Sequence, residues 1–198
     1  MKKDYSRYLS DSVKIVLMRT THPGNIGAVA RAMKNMGLNR LCLVNPSDCT
    51  LKLDEARADA IPTESHEAVR RAAGAEDVLA GAEIFSSVDD ALAGVHVVIG
   101  ASARSRKMTW PLMNPRDCAE LIIEHTIKHQ LADNSQGEVK QVAVLFGQEA
   151  SGLSNEELQR CHYHVNIPAV AEFSSLNLAM AVQLVCYEIR MAMLLDSS

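Results

Sequence analysis

Small and cationic residues follow an apolar run in the middle of the chain. The run at 95–100 is rich in β-branched residues and leads into Ala101, Ser102 and Ala103, after which come the cations Arg104, Arg106 and Lys107. In open α/β sheets ligands bind beyond the carboxyl ends of the strands, and small residues let a ligand approach the backbone. The segment is therefore either part of a binding site or a solvated basic loop, and composition alone leaves both interpretations open.

A second candidate segment, residues 146–154, also follows an apolar run. Gly147 and Gly152 provide backbone freedom or allow close approach, and Glu149 between them is a candidate base or hydrogen-bond acceptor. Ser154 is followed three residues later by Glu157, which is a capping box and predicts the start of a helix. Alone, such a loop is a weak signal for a functional site.

Polar turns precede two further helical patterns. The turn that begins at Ile167 contains Ser174 and Ser175, either of which is a candidate N-cap for the last helix. Near the N-terminus, Asn25 is the candidate N-cap of a helix predicted at 25–36. Arg31 lies off the apolar stripe of that helix, one turn inside its N-terminus, where the helix dipole disfavours a cation. From this position alone, we interpret Arg31 as a solvated surface residue.

The elements that must position these segments alternate between strand and helix patterns. Apolar runs predict strands at 13–18, 41–44, 95–100, 142–146 and 162–167, and helical patterns lie at 25–36, about 53–73 and 115–129. Runs that are apolar throughout are typical of strands covered on both faces. The predicted fold class is therefore α/β, with a mostly parallel sheet and helices on both of its faces.

The last helical pattern, from Leu176 to Leu195, is apolar on nearly all sides. It is interrupted by Asn177, Gln183, Glu188 and Arg190, and charges at mid-bilayer depth are costly, so we interpret it as a helix of the folded domain and expect no membrane partner. A helix apolar all round must be covered on more than one side. The second cover is either another subunit or the rest of a monomer.

Composition narrows the classes of function. The 198 residues are 47% hydrophobic and 22% charged, which is ordinary for a globular protein and excludes a disordered or collagen-like chain. The net charge of -4 excludes a globally basic nucleic-acid binder but not a local basic patch. An odd count of 5 cysteines without a CxxC spacing predicts reduced thiols in the cytoplasm. Neither a dinucleotide-binding glycine fingerprint nor a P-loop is present.

Three segments in order carry a resemblance to a known family. The run from Asn25 to Arg31, the run FGxExxGL at 146–153 and the run SSLNL at 174–178 resemble the three motifs of the SPOUT superfamily of RNA methyltransferases. Within it, residues 100–106, 161–165 and 174–183 are similar to bacterial tRNA ribose methyltransferases that act on the 2′-hydroxyl of cytidine or uridine 32 in the anticodon loop. The resemblance covers about residues 13–194.

The resemblance implies a fold, a cofactor and a set of roles. It implies a deep trefoil knot in the C-terminal part, a homodimer, and S-adenosylmethionine as methyl donor with no metal. Donor contacts carry over by position to Ala101, Ser102, Ala103, Gly147, Ile167, Ser174, Ser175 and Leu176. Catalytic roles carry over to Arg31, supported by Asn25, Glu149, Ser175 and Asn177. Arg31 would act either as a base or, since guanidinium is not normally deprotonated, as a stabiliser of phosphate and alkoxide charge.

The implied partner is tRNA, which a chain of charge -4 must bind through a local basic rim. The candidate RNA-binding residues are Arg19, Arg31, Lys34, Arg104, Arg106 and Lys107. We expect a single catalytic domain at 13–198 after an N-terminal extension at 1–12; the related enzymes carry a further C-terminal extension. The alternatives are a knotted RNA-binding protein without transfer activity, methylation of another tRNA or rRNA nucleotide, and a Rossmann-like enzyme acting on a small metabolite.

Overall fold

Apolar, β-branched runs form a parallel sheet at the centre of the protein. The computed structural model describes residues 5–47, 66–103, 112–128 and 140–196. Its strands are β1 (Val13–Met18), β2 (Arg40–Val44), β3 (Glu83–Phe85), β4 (Val95–Ala101), β5 (Leu112–Met113), β6 (Gln141–Phe146) and β7 (Tyr163–Val165). Within the described residues they form one sheet in the order β3-β2-β1-β6-β4-β7-β5, and neighbouring strands are parallel.

Helices connect the strands and cover the sheet. They are α1 (Ser6–Ser12), α2 (Pro23–Asn35), α3 (His66–Ala72), α4 (Glu76–Ala80), α5 (Val88–Ala91), α6 (Pro115–Ile123), α7 (Asn155–Gln159) and α8 (Leu178–Asp196). A π-helical turn at Glu124–Lys128 extends α6, and a 3-10 turn at Ala171–Phe173 precedes α8. The sequence-based helix at about 53–73 is described only from His66 onward, because residues 48–65 lie outside the described ranges.

Alternate residues of the strands face two separate cores. In β1, Ile15 and Leu17 pack into a core shared with α2, α6 and α8, whereas Val16 and Met18 pack into a smaller core that includes Leu158 of α7. The period of two along the strand produces this division. Helices on both faces of a parallel sheet confirm the predicted fold class. Helix α1 lies within the predicted extension at 1–12, and its Leu9 is buried in the larger core.

The start of α2 differs from the prediction. The helix begins at Pro23, whose fixed φ and missing N–H suit the first helical position, and His22 precedes it without a side-chain cap. Asn25 therefore lies inside the first turn, and its prediction as the N-cap was wrong. Its amide is instead free to bond to residues outside the helix.

Helix α8 has one buried face and one exposed apolar face. Val182, Val185 and Ile189 are buried against the domain, where α8 packs on α2 and α6. Met180, Leu184 and Tyr187, on the other side, are 64%, 40% and 46% exposed. By length and composition alone α8 could cross a membrane, but its buried face belongs to the larger core. The sequence predicted apolar residues nearly all round this helix, and only one side of it is covered within the described chain.

Candidate active site

Three strands end together at one edge of the sheet. Phe146, the last residue of β6, lies beside Ala101 of β4, and Ala101 lies beside Val165 at the end of β7. The segments that follow these strands therefore leave from the same place, as parallel pairing requires. The start of α8 reaches this edge too, since Leu178 and Ala181 line the same cavity as Phe146.

A cavity of about 300 Å³ lies at this edge. Its walls are the segment after β4, the loop after β6, Val165 and Ile167, and the turn before α8. All eight residues carried over as donor contacts line it: Ala101, Ser102, Ala103, Gly147, Ile167, Ser174, Ser175 and Leu176. The structure thus brings together three segments that are far apart in the sequence.

Backbone contacts hold the cavity walls in place. A Cβ atom added to Gly147 would overlap the backbone of Gly152 and Leu153, so the loop after β6 closes tightly on itself. Gly152 has φ +70°, a conformation that favours glycine, and its N–H donates to the carbonyl of Gln148 at 2.8 Å. Across the cavity, the N–H of Ser102 donates to the carbonyl of Val165 at 3.0 Å.

Glu149 joins the loop after β6 to the start of α2. Its Oε1 accepts from Asn25 Nδ2 at 2.9 Å, and its Oε2 accepts from the N–H and the hydroxyl of Thr21 at 3.2 and 3.1 Å. An anion near a helix N-terminus is favourable, and here its hydrogen bonds go to Thr21, which precedes α2, and to the side chain of Asn25 in its first turn. The resemblance implied that Glu149 and Asn25 orient Arg31 and the loop; in the structure the side chain of Glu149 bonds to Asn25 and Thr21.

The hydrogen bonds to Glu149 also set its charge. Partial burial raises the pKa of the carboxyl, but the hydrogen bonds from Asn25, from the backbone N–H of Glu149 itself and from Thr21 together lower it by more, so the pKa of Glu149 lies below its ordinary value. The group is therefore a carboxylate at neutral pH and a weak base. This favours the acceptor role over the base role that the sequence also allowed.

Asn177 extends the same polar chain to α8. Its Nδ2 donates to Asn25 Oδ1 at 3.1 Å, and its Oδ1 accepts from the N–H of Ala179 at 2.9 Å. Asn177 therefore caps α8, and Ser174 and Ser175, the sequence-based candidates for that cap, line the cavity instead. The arrangement fixes the distance between the first turns of α2 and α8.

A second, larger cavity of about 990 Å³ lies between α2, α3 and α8. Arg31 lines it together with Asn25 and Asn177, and Leu176 lines both cavities. Arg31 is exposed and forms no hydrogen bond or ion pair with any residue in the described ranges. An unengaged guanidinium next to the smaller cavity is suited to binding an anion.

The other predicted RNA-binding residues are placed differently. Arg19 forms an ion pair with the buried Glu157 of α7, and Lys34 pairs with Asp77 of α4 at 2.7 Å. Both cations are therefore engaged within the domain. Arg104, Arg106 and Lys107 lie outside the described residues.

Sequence reasoning missed three residues of this region. Thr21 holds Glu149, and Arg70 and Arg71 of α3 line the larger cavity with Arg31. Arg70 and Arg71 lie in a segment with a helical pattern, but no feature of the sequence around them indicated that α3 faces α2. Among the residues that the structure describes, no group of three or more His, Cys, Asp or Glu side chains is arranged to hold a metal ion.

The comparison with protein families agrees with this geometry. The model of the SpoU rRNA Methylase family matches residues 12–187, which include all three segments around the smaller cavity. The chain belongs to the SpoU methylase family. The sequence-based recognition as a SPOUT-type methyltransferase is thereby confirmed.

Individual relatives of this SpoU methylase are bacterial. It is 49% identical over 184 residues to tRNA (cytidine/uridine-2'-O-)-methyltransferase TrmJ of Photorhabdus laumondii, covering 93% of this chain and 66% of that protein. It is 48% identical to tRNA (cytidine/uridine/adenosine-2'-O-)-methyltransferase TrmJ of Pseudomonas aeruginosa, covering 93% of this chain and 62% of that protein. The chain thus spans a little under two thirds of the length of these curated relatives.

The fold of a solved relative is also similar. The structure of a probable methylase family protein from Haemophilus influenzae superposes with a TM-score of 0.76 at 44% identity, covering 95% of this chain and 68% of that chain. The parallel sheet and its covering helices are therefore those of a SpoU methylase.

Proposed function

We propose that this SpoU methylase transfers a methyl group from S-adenosylmethionine to a ribose 2′-hydroxyl of tRNA. The observation that carries the proposal is the juxtaposition of the two cavities, which share Leu176 and are linked by the hydrogen bond between Glu149, which lines the smaller cavity, and Asn25, which lines the larger one. One cavity suits a small donor and the other presents free arginine side chains. The similarity to the TrmJ proteins supports tRNA as the substrate.

The smaller cavity fits the donor in size and chemistry. Its volume of about 300 Å³ is at the lower end of the range for small-molecule pockets, and its walls are mainly backbone, small side chains and apolar groups. Ser102, Ser174 and Ser175 offer hydroxyls to a polar ligand, and the carboxylate of Glu149 offers negative charge to a cationic one. When bound, S-adenosylmethionine supplies a methyl group already activated on a positively charged sulfur.

Arg31 acts on the RNA as a charged hydrogen-bond donor in this proposal. A guanidinium holds its proton at neutral pH, so it is a poor acceptor for the proton of the ribose hydroxyl. It binds phosphate well and stabilises negative charge that develops on the ribose oxygen. Asn25 and Asn177 fix the helices on which the site is built, and Ser175 positions the donor or the substrate.

The finer parts of the proposal follow the resemblance. We propose nucleotide 32 of the anticodon loop, cytidine or uridine, as the target, and the cytoplasm as the location. We also propose a C-terminal trefoil knot, which would bring the loops around the smaller cavity together, and a homodimer. The exposed apolar face of α8, formed by Met180, Leu184 and Tyr187, supports the homodimer because it leaves a helix partly uncovered.

Methyl transfer tests the proposal directly. The chain is incubated with radiolabelled S-adenosylmethionine and unmodified tRNA transcripts, and the labelled nucleotide is mapped. We expect label on the 2′-oxygen of nucleotide 32. Donor binding without incorporation would favour an RNA-binding protein without transfer activity. Label at another nucleotide would correct the target position, and methylation of free nucleosides but not of tRNA would favour a small-molecule enzyme.

A further inference from the structure

Three arginines in the described part of the chain have no partner, and all three line one cavity. Arg31, Arg70 and Arg71 are exposed, form no hydrogen bond or ion pair with any described residue, and line the larger cavity. The other described arginines are held by acidic side chains, amides, hydroxyls or carbonyls: Arg7, Arg19, Arg40, Arg116, Arg160 and Arg190. The unengaged guanidinium groups are thus concentrated at one place.

Helix geometry puts Arg70 and Arg71 on the same face of α3. They follow Glu67 by three and four residues, the spacing that groups side chains on one side of a helix, and all three line the cavity. Ala68 and Ala72 are buried on the opposite side. Glu67 is the acidic side chain among the cavity residues, so the arginines outnumber the carboxylates by three to one.

Close packing fixes this face opposite Arg31. A Cβ atom added to Gly27 of α2 would overlap the backbone of Ala68 in α3, so the two helices approach as closely as their backbones allow. On the α2 side, Arg31 lies on the face that borders the cavity. The absence of a side chain at position 27 therefore sets the distance between Arg31 and the two arginines of α3.

The third wall of the cavity is different in character. Leu176, Met180 and Leu184 of α8 present apolar groups there, whereas α2 and α3 present the guanidiniums. Met180 and Leu184 also belong to the face proposed for a second subunit, so in the homodimer that subunit borders the cavity on this side. Like charges held near one another repel, and a ligand with several negative charges relieves that repulsion. Guanidinium binds phosphate with two parallel hydrogen bonds, so a chain of phosphates satisfies several arginines at once.

We propose that Arg70 and Arg71 bind the RNA backbone phosphates next to the target nucleotide, while Arg31 faces the target ribose. This inference rests on the proposed function, because it assumes that RNA enters the larger cavity. It assigns α3 the task of holding the substrate backbone against α2. The two residues are positioning residues, since they hold the RNA rather than touch the reacting atoms.

Salt-dependent tRNA binding tests the assignment. Arg70→Gln, Arg71→Gln and the double variant are compared with wild type for affinity to an unmodified tRNA transcript over a series of salt concentrations. Each single substitution is expected to weaken binding by about fivefold at low salt. The slope of log affinity against log salt should fall by about 0.7–0.9 for each phosphate that the variant no longer binds, and KM for tRNA should rise.

The controls separate this role from a structural one. Arg7→Gln removes an arginine from α1 that lies outside the cavity, and it should leave the salt slope unchanged. The Arg70→Lys and Arg71→Lys variants keep the charge and should restore most of the slope. Sedimentation of each variant reports whether the subunit assembly has changed.

The outcomes distinguish this inference from the proposed function. A double variant with the wild-type affinity and salt slope overturns the assignment while leaving tRNA methylation intact. A loss of affinity that accompanies a change in sedimenting mass overturns it as well, because the arginines would then serve an interface between subunits. If tRNA binding depends on Arg70 and Arg71 but wild type transfers no methyl group, the phosphate contacts stand and the proposed activity fails.

Discussion

Replacing Glu149 with glutamine tests the polar connection between the loop after β6 and helix α2. Glutamine has nearly the same shape as glutamate but carries no charge, and it has one acceptor oxygen in place of two. The wild-type carboxylate accepts from Asn25 on one oxygen and from Thr21 on the other. In the Glu149→Gln variant one of these donor sets must face the amide NH₂ group.

The size of the effect follows from the hydrogen bonds that the variant cannot form. A hydrogen bond to a charged group contributes about 1.5–3 kcal/mol to stability. Glu149 is only half-buried, so water competes for it and the lower end of that range applies. We therefore expect the free energy of unfolding to fall by about 1.5 kcal/mol at neutral pH, which is roughly tenfold in the folding equilibrium.

The stability difference between wild type and Glu149→Gln should depend on pH. Although partial burial raises the pKa of Glu149, its hydrogen bonds hold the folded-state pKa below the ordinary value. Such a carboxylate contributes stability that is present above its ordinary, unfolded-state pKa and is lost as the pH falls through the lower folded-state pKa. The difference between wild type and Glu149→Gln should therefore be largest near neutral pH and shrink as the pH falls below the ordinary pKa of a glutamate carboxyl.

Urea denaturation of both proteins at several pH values measures these differences. The matched control is Glu156→Gln, which makes the same substitution at an exposed position on α7 and should change stability by less than about 0.5 kcal/mol. The reasoning is refuted if Glu149→Gln costs no more than Glu156→Gln. It is equally refuted if the cost is the same at neutral and at acid pH.

Substitutions at three further positions probe the site and the exposed helix face. Arg31→Ala should reduce methyl transfer to tRNA by at least about a hundredfold, while calorimetry shows nearly unchanged donor affinity. Arg31→Lys should retain part of the rate. Unchanged turnover in Arg31→Ala would show that Arg31 has no role in methyl transfer. Gly147→Ala should weaken the affinity for S-adenosylhomocysteine by about tenfold or more, because the added Cβ displaces the loop; wild-type affinity would show that the loop does not line the donor site. Leu184→Asp should convert a dimer to a monomer in sedimentation, and a wild type that sediments as a monomer contradicts the proposed interface.

The central strands were predictable because burial on both faces leaves a continuous apolar run. β1 has the predicted bounds, and β2, β4 and β6 each differ from the prediction by one residue. β3 and β5 were not predicted. They lie at the two edges of the sheet and are three and two residues long, so only their pairing with β2 and β7 identifies them as strands.

The residues of the smaller cavity were recovered through the resemblance, whereas their contacts were not. Local sequence predicts Asn25 as the cap of its own helix, which is wrong, since its partner Glu149 lies 124 positions away. Only the parallel order of β1 and β6 brings the two residues together. Arg70 and Arg71 were missed for a related reason. Their exposure toward Arg31 depends on the contact between Gly27 and Ala68, which no pattern within α3 indicates.

A crystal structure with S-adenosylhomocysteine and an anticodon stem-loop RNA tests the central claim most directly. We expect S-adenosylhomocysteine to bind between the segment at 101–103, the loop at Gly147 and the turn at 174–176. We also expect the ribose of nucleotide 32 to lie beside Arg31 in the larger cavity. Ligand density outside these segments, or RNA bound on a surface remote from Arg31, would contradict that claim.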